Sequence, residues 1–120
     1  MGVTPAAQEG GATVIESWVG SLTTNGTVFF SFTVPTGGPV SVTLLSLTVA
    51  GVASPATLTL GLGVPRGTVC QGGTASAPAT AGVTPQLTTG VSPGVYCLNL
   101  IDPGALPDTA QFAIDIGRPR

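Results

Sequence analysis

The sequence contains no lysine and no histidine, and only 7% of its 120 residues are charged. The side chains that most often act as general bases are therefore missing, which argues against an enzyme. The net charge of −2 provides no basic surface, so we expect no nucleic-acid partner. No apolar run approaches the roughly 18 residues of a membrane-spanning helix, so we also expect no membrane span.

Acidic side chains are few as well, and only Asp102, Asp108 and Asp115 lie near one another in the sequence. A pair of carboxylates can cleave a glycosidic bond. However, Asp102 and Asp108 stand in turns rich in Pro and Gly, where aspartate accepts hydrogen bonds from the nearby backbone. Asp115 takes an outward position in a strand. We therefore predict turn and surface roles for all three and no catalytic residue.

The start of the chain shows no signal peptide, since it has neither a basic beginning nor an apolar stretch. Either a signal has been removed, or the protein begins in the cytosol. Residues 1–11 are predicted to form a flexible arm. We assign one domain to residues 12–117 and a short solvated tail, with Arg118 and Arg120, to residues 118–120.

Glycine and proline are abundant, with 18 and 11 copies, and they separate stretches rich in the β-formers Val and Thr. Residues 108–116 alternate between apolar and polar, which is typical of a strand with one buried face. Residues 94–102 are apolar on both faces, as in a central strand. The turn between them predicts an antiparallel hairpin. An Asn-Gly pair at 25–26 predicts a second hairpin, between strands at 12–22 and 27–34.

Two further strands are predicted in the middle of the chain. Residues 40–49 change phase between Leu44 and Leu45, which indicates a β-bulge. Residues 57–64 carry two glycines on one face, which indicates close approach of another group over that face.

The least regular stretch is residues 71–85, which lack large apolar side chains and predict a long mobile loop. Short strands are predicted on either side of it, at 68–70 and 86–89. Seven to eight short strands at this spacing predict an all-β fold, an antiparallel β-sandwich.

The two cysteines, Cys70 and Cys97, each lie in a strand-like setting. A disulfide between them would contribute about 3–4 kcal/mol in the chain-entropy model and would imply an oxidising compartment. The alternative is two buried free thiols. A zinc site would have to recruit carboxylates, because the chain has no histidine, so we predict no metal.

Trp18 and Tyr96 are the aromatic residues best suited to stacking on a sugar or anchoring a partner. Core or cross-strand packing is the favoured interpretation of both. We keep them as candidate partner contacts beside that structural interpretation.

Several segments of the chain resemble one known family over residues 12–116, the bacterial pre-peptidase C-terminal domain. The segments that carry the resemblance are Glu16-Ser17-Trp18, Phe29-Phe30-Ser31-Phe32-Thr33-Val34-Pro35, Val40-Ser41-Val42-Thr43-Leu44, Leu60-Gly61-Leu62-Gly63 with Cys70, and Gly94-Val95-Tyr96-Cys97-Leu98. These motifs are structural, so they specify a fold more closely than an activity.

The resemblance implies a jelly-roll-like β-sandwich that accompanies secreted bacterial enzymes as a non-catalytic module. Some members of that family bind collagen or polysaccharide, and some hold calcium near the amino-terminal linker. Here the linker offers only Glu9 and Glu16, which are too few for a calcium shell of six to eight oxygens. We therefore expect no cofactor.

Two functional hypotheses follow. The first is a non-catalytic module of the extracellular space or cell envelope, which binds or adheres to a protein or polysaccharide surface through a Thr-rich face. The second is a structural subunit that binds copies of itself, in an extracellular fibre or as a decoration protein on a virion surface. The low charge favours the second, since it reduces repulsion between copies.

Overall fold

The computed structural model describes residues 13–119, which form nine β-strands and no helix. The strands are β1 (Thr13–Leu22), β2 (Thr27–Val34), β3 (Gly38–Val49), β4 (Val52–Ala53), β5 (Leu58–Arg66), β6 (Val69–Ala79), β7 (Leu87–Val91), β8 (Gly94–Ile101) and β9 (Ala110–Pro119). The predicted all-β class is confirmed, and β4 is the strand that the sequence patterns did not predict.

The strands form two antiparallel sheets that pack face to face, so the predicted antiparallel β-sandwich is also confirmed. The five-stranded sheet has the order β1-β9-β3-β4. Its fifth strand, β7, pairs with residues 38–42 of β3, on the same side of β3 as β4, which pairs with residues 48–49. The four-stranded sheet has the order β2-β8-β5-β6. In the part of the chain that the structure describes, β1 and β2 are therefore edge strands.

The core lies between the sheets and follows the two-residue period of the strands. In β9, Phe112, Ile114 and Ile116 point inward and are buried, as the alternation predicts. In β2, Phe32 and Val34 also point inward and are buried, while Ser31 and Thr33 between them face outward.

The Asn-Gly turn after β1 forms, but the predicted hairpin is wrong. Asn25 has a φ of 58°, and the N–H of Gly26 donates to the carbonyl of Thr23 at 2.8 Å. However, β1 pairs with β9 and β2 pairs with β8, so the turn carries the chain from one sheet to the other. Trp18 stacks on Phe30 across the sandwich, with ring centroids 4.5 Å apart. This contact joins the inner faces of the two sheets.

The predicted hairpin between the last two strands is wrong for a related reason. The strand β8 lies between β2 and β5, while β9 lies between β1 and β3 in the other sheet. Both strands already have two neighbours, so neither has a free edge for the other. Residues 102–109 therefore form a second crossing between the sheets.

The β-bulge predicted in β3 is confirmed, because the register between β3 and β9 shifts between Leu44 and Ser46. The mobile loop predicted at 71–85 is wrong over more than half of its length, since β6 continues to Ala79 and pairs with β5. Pairing with an established neighbour supplies β6 with ladder hydrogen bonds, which outweighs the low β-propensity of its Gly, Ala and Ser residues.

The predicted arm at 1–11 and Arg120 lie outside the described residues. The strand β9 continues to Pro119, and this corrects the solvated role predicted for Arg118. Its guanidinium Nε donates to the carboxylate of Glu16 at 2.8 Å, in an ion pair between β9 and β1. Across residues 13–119, no helix has the length and apolar character needed to cross a membrane.

Candidate functional site

The structure places Trp18 and Tyr96 on the core-facing sides of β1 and β8, where both are half-buried. Each ring packs against Phe32, with centroids 6.2 Å apart in both pairs. The hydroxyl of Tyr96 donates to the carbonyl of Ser92 at 2.7 Å. Both aromatics contribute to packing, and neither belongs to the outer faces of the sheets.

Asp102 is buried, with 2% of its surface exposed. Its carboxylate accepts hydrogen bonds between 2.8 and 3.3 Å long from the backbone N–H groups of Asn25, Gly104, Ala105 and Leu106. Burial raises the pKa of this carboxyl, but the four N–H donors lower it by more, so the pKa lies below its usual value. The predicted turn role of Asp102 is confirmed. Its carboxylate also links the turn after β1 to residues 102–109, the two places where the chain crosses between the sheets.

The other two aspartates of the predicted group have separate local partners. Asp108 accepts a hydrogen bond from the N–H of Thr109 at 2.7 Å, as expected of a turn residue. Asp115 lies on the outer face of β9 and accepts a hydrogen bond from the hydroxyl of Ser17 at 2.6 Å. Among residues 13–119, no group of three or more His, Cys, Asp or Glu side chains could hold a metal ion.

The predicted disulfide between Cys70 and Cys97 is confirmed. Cys97 lies on the outer face of β8, opposite Gly63 of β5, and the pairing of β5 with β8 ends at that point. The register of β5 with β6 shifts between Leu62 and Gly63, so the tip of the β5–β6 hairpin bends toward β8. The Cα atoms of the two cysteines are consequently 5.8 Å apart, although β6 and β8 are not neighbours in the sheet.

Two further features fix this hairpin tip. Gly67, at its end, has a φ of 62°, which an L residue with a side chain rarely adopts. The side-chain amide of Asn99 donates to the carbonyl of Cys70 at 3.1 Å. The tip is therefore held over the outer face of the four-stranded sheet by one covalent bond and one hydrogen bond.

Between the hairpin tip and the sheet lies an open groove of about 420 Å³, which we call the disulfide groove. Its lining residues come from β2, β6, β8 and the hairpin tip: Thr27, Phe29, Thr68, Val69, Cys70, Asn99 and Ile101. The set combines apolar surface with two hydroxyls and one amide, and none of its members is charged. Convergent polar groups within an apolar concave surface are typical of ligand sites.

A second groove of about 320 Å³ lies on the outer face of the five-stranded sheet. Its floor contains Ala113, with Val19 on one side and Ser46 on the other. The disulfide groove is the stronger candidate, because its wall is fixed covalently and its aromatic ring, Phe29, is partly exposed, whereas Phe112 in the second groove is buried.

Sequence patterns alone did not identify the disulfide groove, although they contained two signals. Phe29 stands in the outward phase of β2, where it is 37% exposed. Asn99 interrupts the apolar strand β8 on its outer face. The structure places these two side chains directly opposite each other on the solvent face of β2 and β8.

The two packed sheets define a disulfide-bonded, antiparallel β-sandwich. Among solved structures, this fold is similar to the crystal structure of a Yersinia pseudotuberculosis-derived mitogen (YPM) at 16% identity and a TM-score of 0.49. The match covers 89% of this chain and 87% of that chain. No protein-family model and no curated protein matches the sequence. The resemblance to the pre-peptidase C-terminal domain stays a prediction.

Proposed function

We propose that the protein is a non-catalytic binding module, and that the disulfide groove holds a neutral saccharide unit of a polysaccharide. The observation that supports this proposal is the chemistry of the lining. Phe29 offers a partly exposed ring, and Thr27, Thr68 and Asn99 offer hydroxyl and amide groups around it. A pyranose ring presents the matching surfaces, with an apolar C–H face and a rim of hydroxyl groups.

The absence of charge in the lining favours a neutral ligand over an acidic or basic one. A charged ligand would lose hydration in the groove without gaining an ion pair, and burying an unpaired charge is costly. The amide nitrogen of Asn99 donates to the carbonyl of Cys70, and this hydrogen bond orients the side chain. The amide oxygen is the acceptor that we propose for a ligand hydroxyl.

The proposed location is the extracellular space or the cell envelope. The supporting observation is the disulfide, because such bonds persist in oxidising compartments and are rare in the cytosol. A virion surface is the alternative location, and it belongs to the second hypothesis, a structural subunit.

The test is binding to an array of neutral glycans, followed by calorimetry on any ligand that binds. Replacing Phe29 with alanine is expected to weaken binding by about fivefold or more, since truncated aromatic anchors commonly cost over about 1 kcal/mol. Thr27→Val keeps the shape of the side chain and removes its hydroxyl, and a smaller loss of affinity is expected.

The matched control is Val95→Ala, which also removes an exposed apolar side chain from the outer face of the four-stranded sheet, away from the groove. This variant should bind like the wild-type protein. The proposal would be overturned by a wild-type protein that binds no neutral glycan, or by a Phe29→Ala variant of unchanged affinity.

A further inference from the structure

The edge strand β1 carries one of the features that usually prevent edge-to-edge pairing, an inward-pointing charge at Glu16, and that charge is paired with Arg118. Natural edge strands are commonly short, bulged, or interrupted by Pro or Lys. In contrast, β1 has 10 residues, and its register with β9 is unbroken over the whole length. It contains no proline, and its one charged residue, Glu16, faces the interior and is paired with Arg118.

The outer face of β1 also exposes large apolar side chains. Ile15 is 64% exposed and Val19 is 77% exposed. On the β9 side, Ile15 lies opposite Gly117 and Val19 lies opposite Ala113. Within the part of the chain that the structure describes, no strand lies on the other side of β1, so both side chains lack one cross-strand neighbour.

We propose that β1 pairs antiparallel with β1 of a second copy, so that the five-stranded sheets of two molecules join across a two-fold axis. Residues directly opposite each other in an antiparallel pair lie on the same face of the sheet. The odd-numbered residues of β1 face outward, so only registers that pair odd-numbered with odd-numbered residues keep the inner and outer faces aligned. A register centred on Glu16 would place two carboxylates opposite each other, which is unfavourable.

The register centred on Ser17 satisfies the exposed side chains best. It places Ile15 of each copy opposite Val19 of the other, and β-branched pairs across strands are stabilising. On the inner face, Glu16 lies opposite Trp18 of the second copy, so the two Glu16 carboxylates are diagonal neighbours rather than directly opposite, and each is already paired with Arg118 of its own chain. A register centred on Trp18 would instead place both apolar side chains opposite serines.

Self-pairing of one edge gives a closed dimer rather than a fibre, because a two-fold interface uses the same surface on both copies. The opposite edge of the sheet provides only β4, with two residues, and β7, with five residues. A second copy is the favoured occupant of β1, since the register centred on Ser17 pairs apolar with apolar and polar with polar side chains on the outer face.

The first test is the solution mass by light scattering over a range of concentrations. We expect twice the 11.7 kDa of one chain at high concentration. Val19→Lys should raise the dissociation constant by more than about tenfold, because it places a charge opposite an apolar side chain. Val52→Lys, at the opposite edge of the sheet, is the matched control and should leave the dimer unchanged.

The second test reads the register without destabilising the interface. In the register proposed, Ser17→Cys places two thiols directly opposite each other, within reach of a disulfide. Mild oxidation should therefore link two Ser17→Cys chains. The Ser21→Cys variant should not be linked, because each introduced thiol lies opposite Thr13 of the second copy.

Three results would overturn the proposal. They are a monomer at all concentrations, a dimer whose affinity Val19→Lys leaves unchanged, and preferential linking of Ser21→Cys chains. Glycan binding by the disulfide groove does not depend on any of these results, so the two proposals fail separately.

Discussion

Replacing Asp102 with alanine is expected to lower the free energy of unfolding by about 3–5 kcal/mol, since hydrogen bonds to a charged group contribute more than neutral ones. The substitution would leave the N–H groups of Asn25, Ala105 and Leu106 without their acceptor, and the one of Leu106 is buried. It would also release the turn after β1 from the crossing after β8. Urea unfolding of the purified variant measures the loss.

Asp108→Ala provides the matched control, because Asp108 is an exposed turn aspartate with a backbone partner next to it. We expect it to cost less than about 1 kcal/mol, as for a surface substitution that removes a local hydrogen bond. Equal effects of the two substitutions would contradict the role assigned to Asp102.

The role of Asp102 also predicts a dependence of stability on pH. The pKa of its carboxyl is lower in the folded protein than in the unfolded chain, so the ionised form favours folding. This contribution is complete above the unfolded pKa and is lost as the pH falls through the folded pKa. The stability difference between wild type and Asp102→Asn should therefore shrink in strong acid. A difference that stays constant from neutral to acidic pH would contradict this assignment.

Removing the Cys70–Cys97 disulfide is expected to lower the free energy of unfolding by about 3–4 kcal/mol in the chain-entropy model. The bond links positions 27 residues apart, and it constrains the unfolded chain over that loop. The double variant Cys70→Ala with Cys97→Ala is the cleanest form, because Cys97 is buried and alanine introduces no polar atom.

The same double variant should lose glycan binding while it keeps the β-sandwich. Its hairpin tip would be held over the sheet by the Asn99 hydrogen bond alone. Circular dichroism checks the fold, and calorimetry checks binding. Unchanged stability together with unchanged affinity would contradict the structural role of the disulfide and its role in forming the groove.

Local patterns in the sequence predicted the strands well where one face is buried. The alternation around Phe112 and Ile114 identified β9, and the change of phase after Leu44 identified the bulge. The turn role of Asp102 was also predicted, because Asp-Pro-Gly favours local hydrogen bonding to the backbone.

The pairing of strands could not be predicted in the same way. A turn such as Asn25-Gly26 reverses the chain, but it does not determine whether the next strand joins the same sheet or the facing one. That choice depends on distant partners, since β1 pairs with β9 and β2 with β8. Likewise, β6 owes its strand structure to β5 rather than to its own composition.

The disulfide groove was beyond prediction for a similar reason. Its floor follows from the outward phase of Phe29 and Asn99, which the sequence contains. Its wall depends on the bend at Leu62 and Gly63 that brings Cys70 next to Cys97. The sequence identified the two cysteines but not the direction in which the hairpin tip bends.

The most direct test of the central claim is a titration of the isotope-labelled protein with neutral oligosaccharides of glucose and N-acetylglucosamine, followed by NMR. We expect saturable shifts for the amides of Thr27, Phe29, Val69 and Asn99, and none for the outer face of β9. Shifts that cluster on the five-stranded sheet, or no shifts with any neutral sugar, would contradict it.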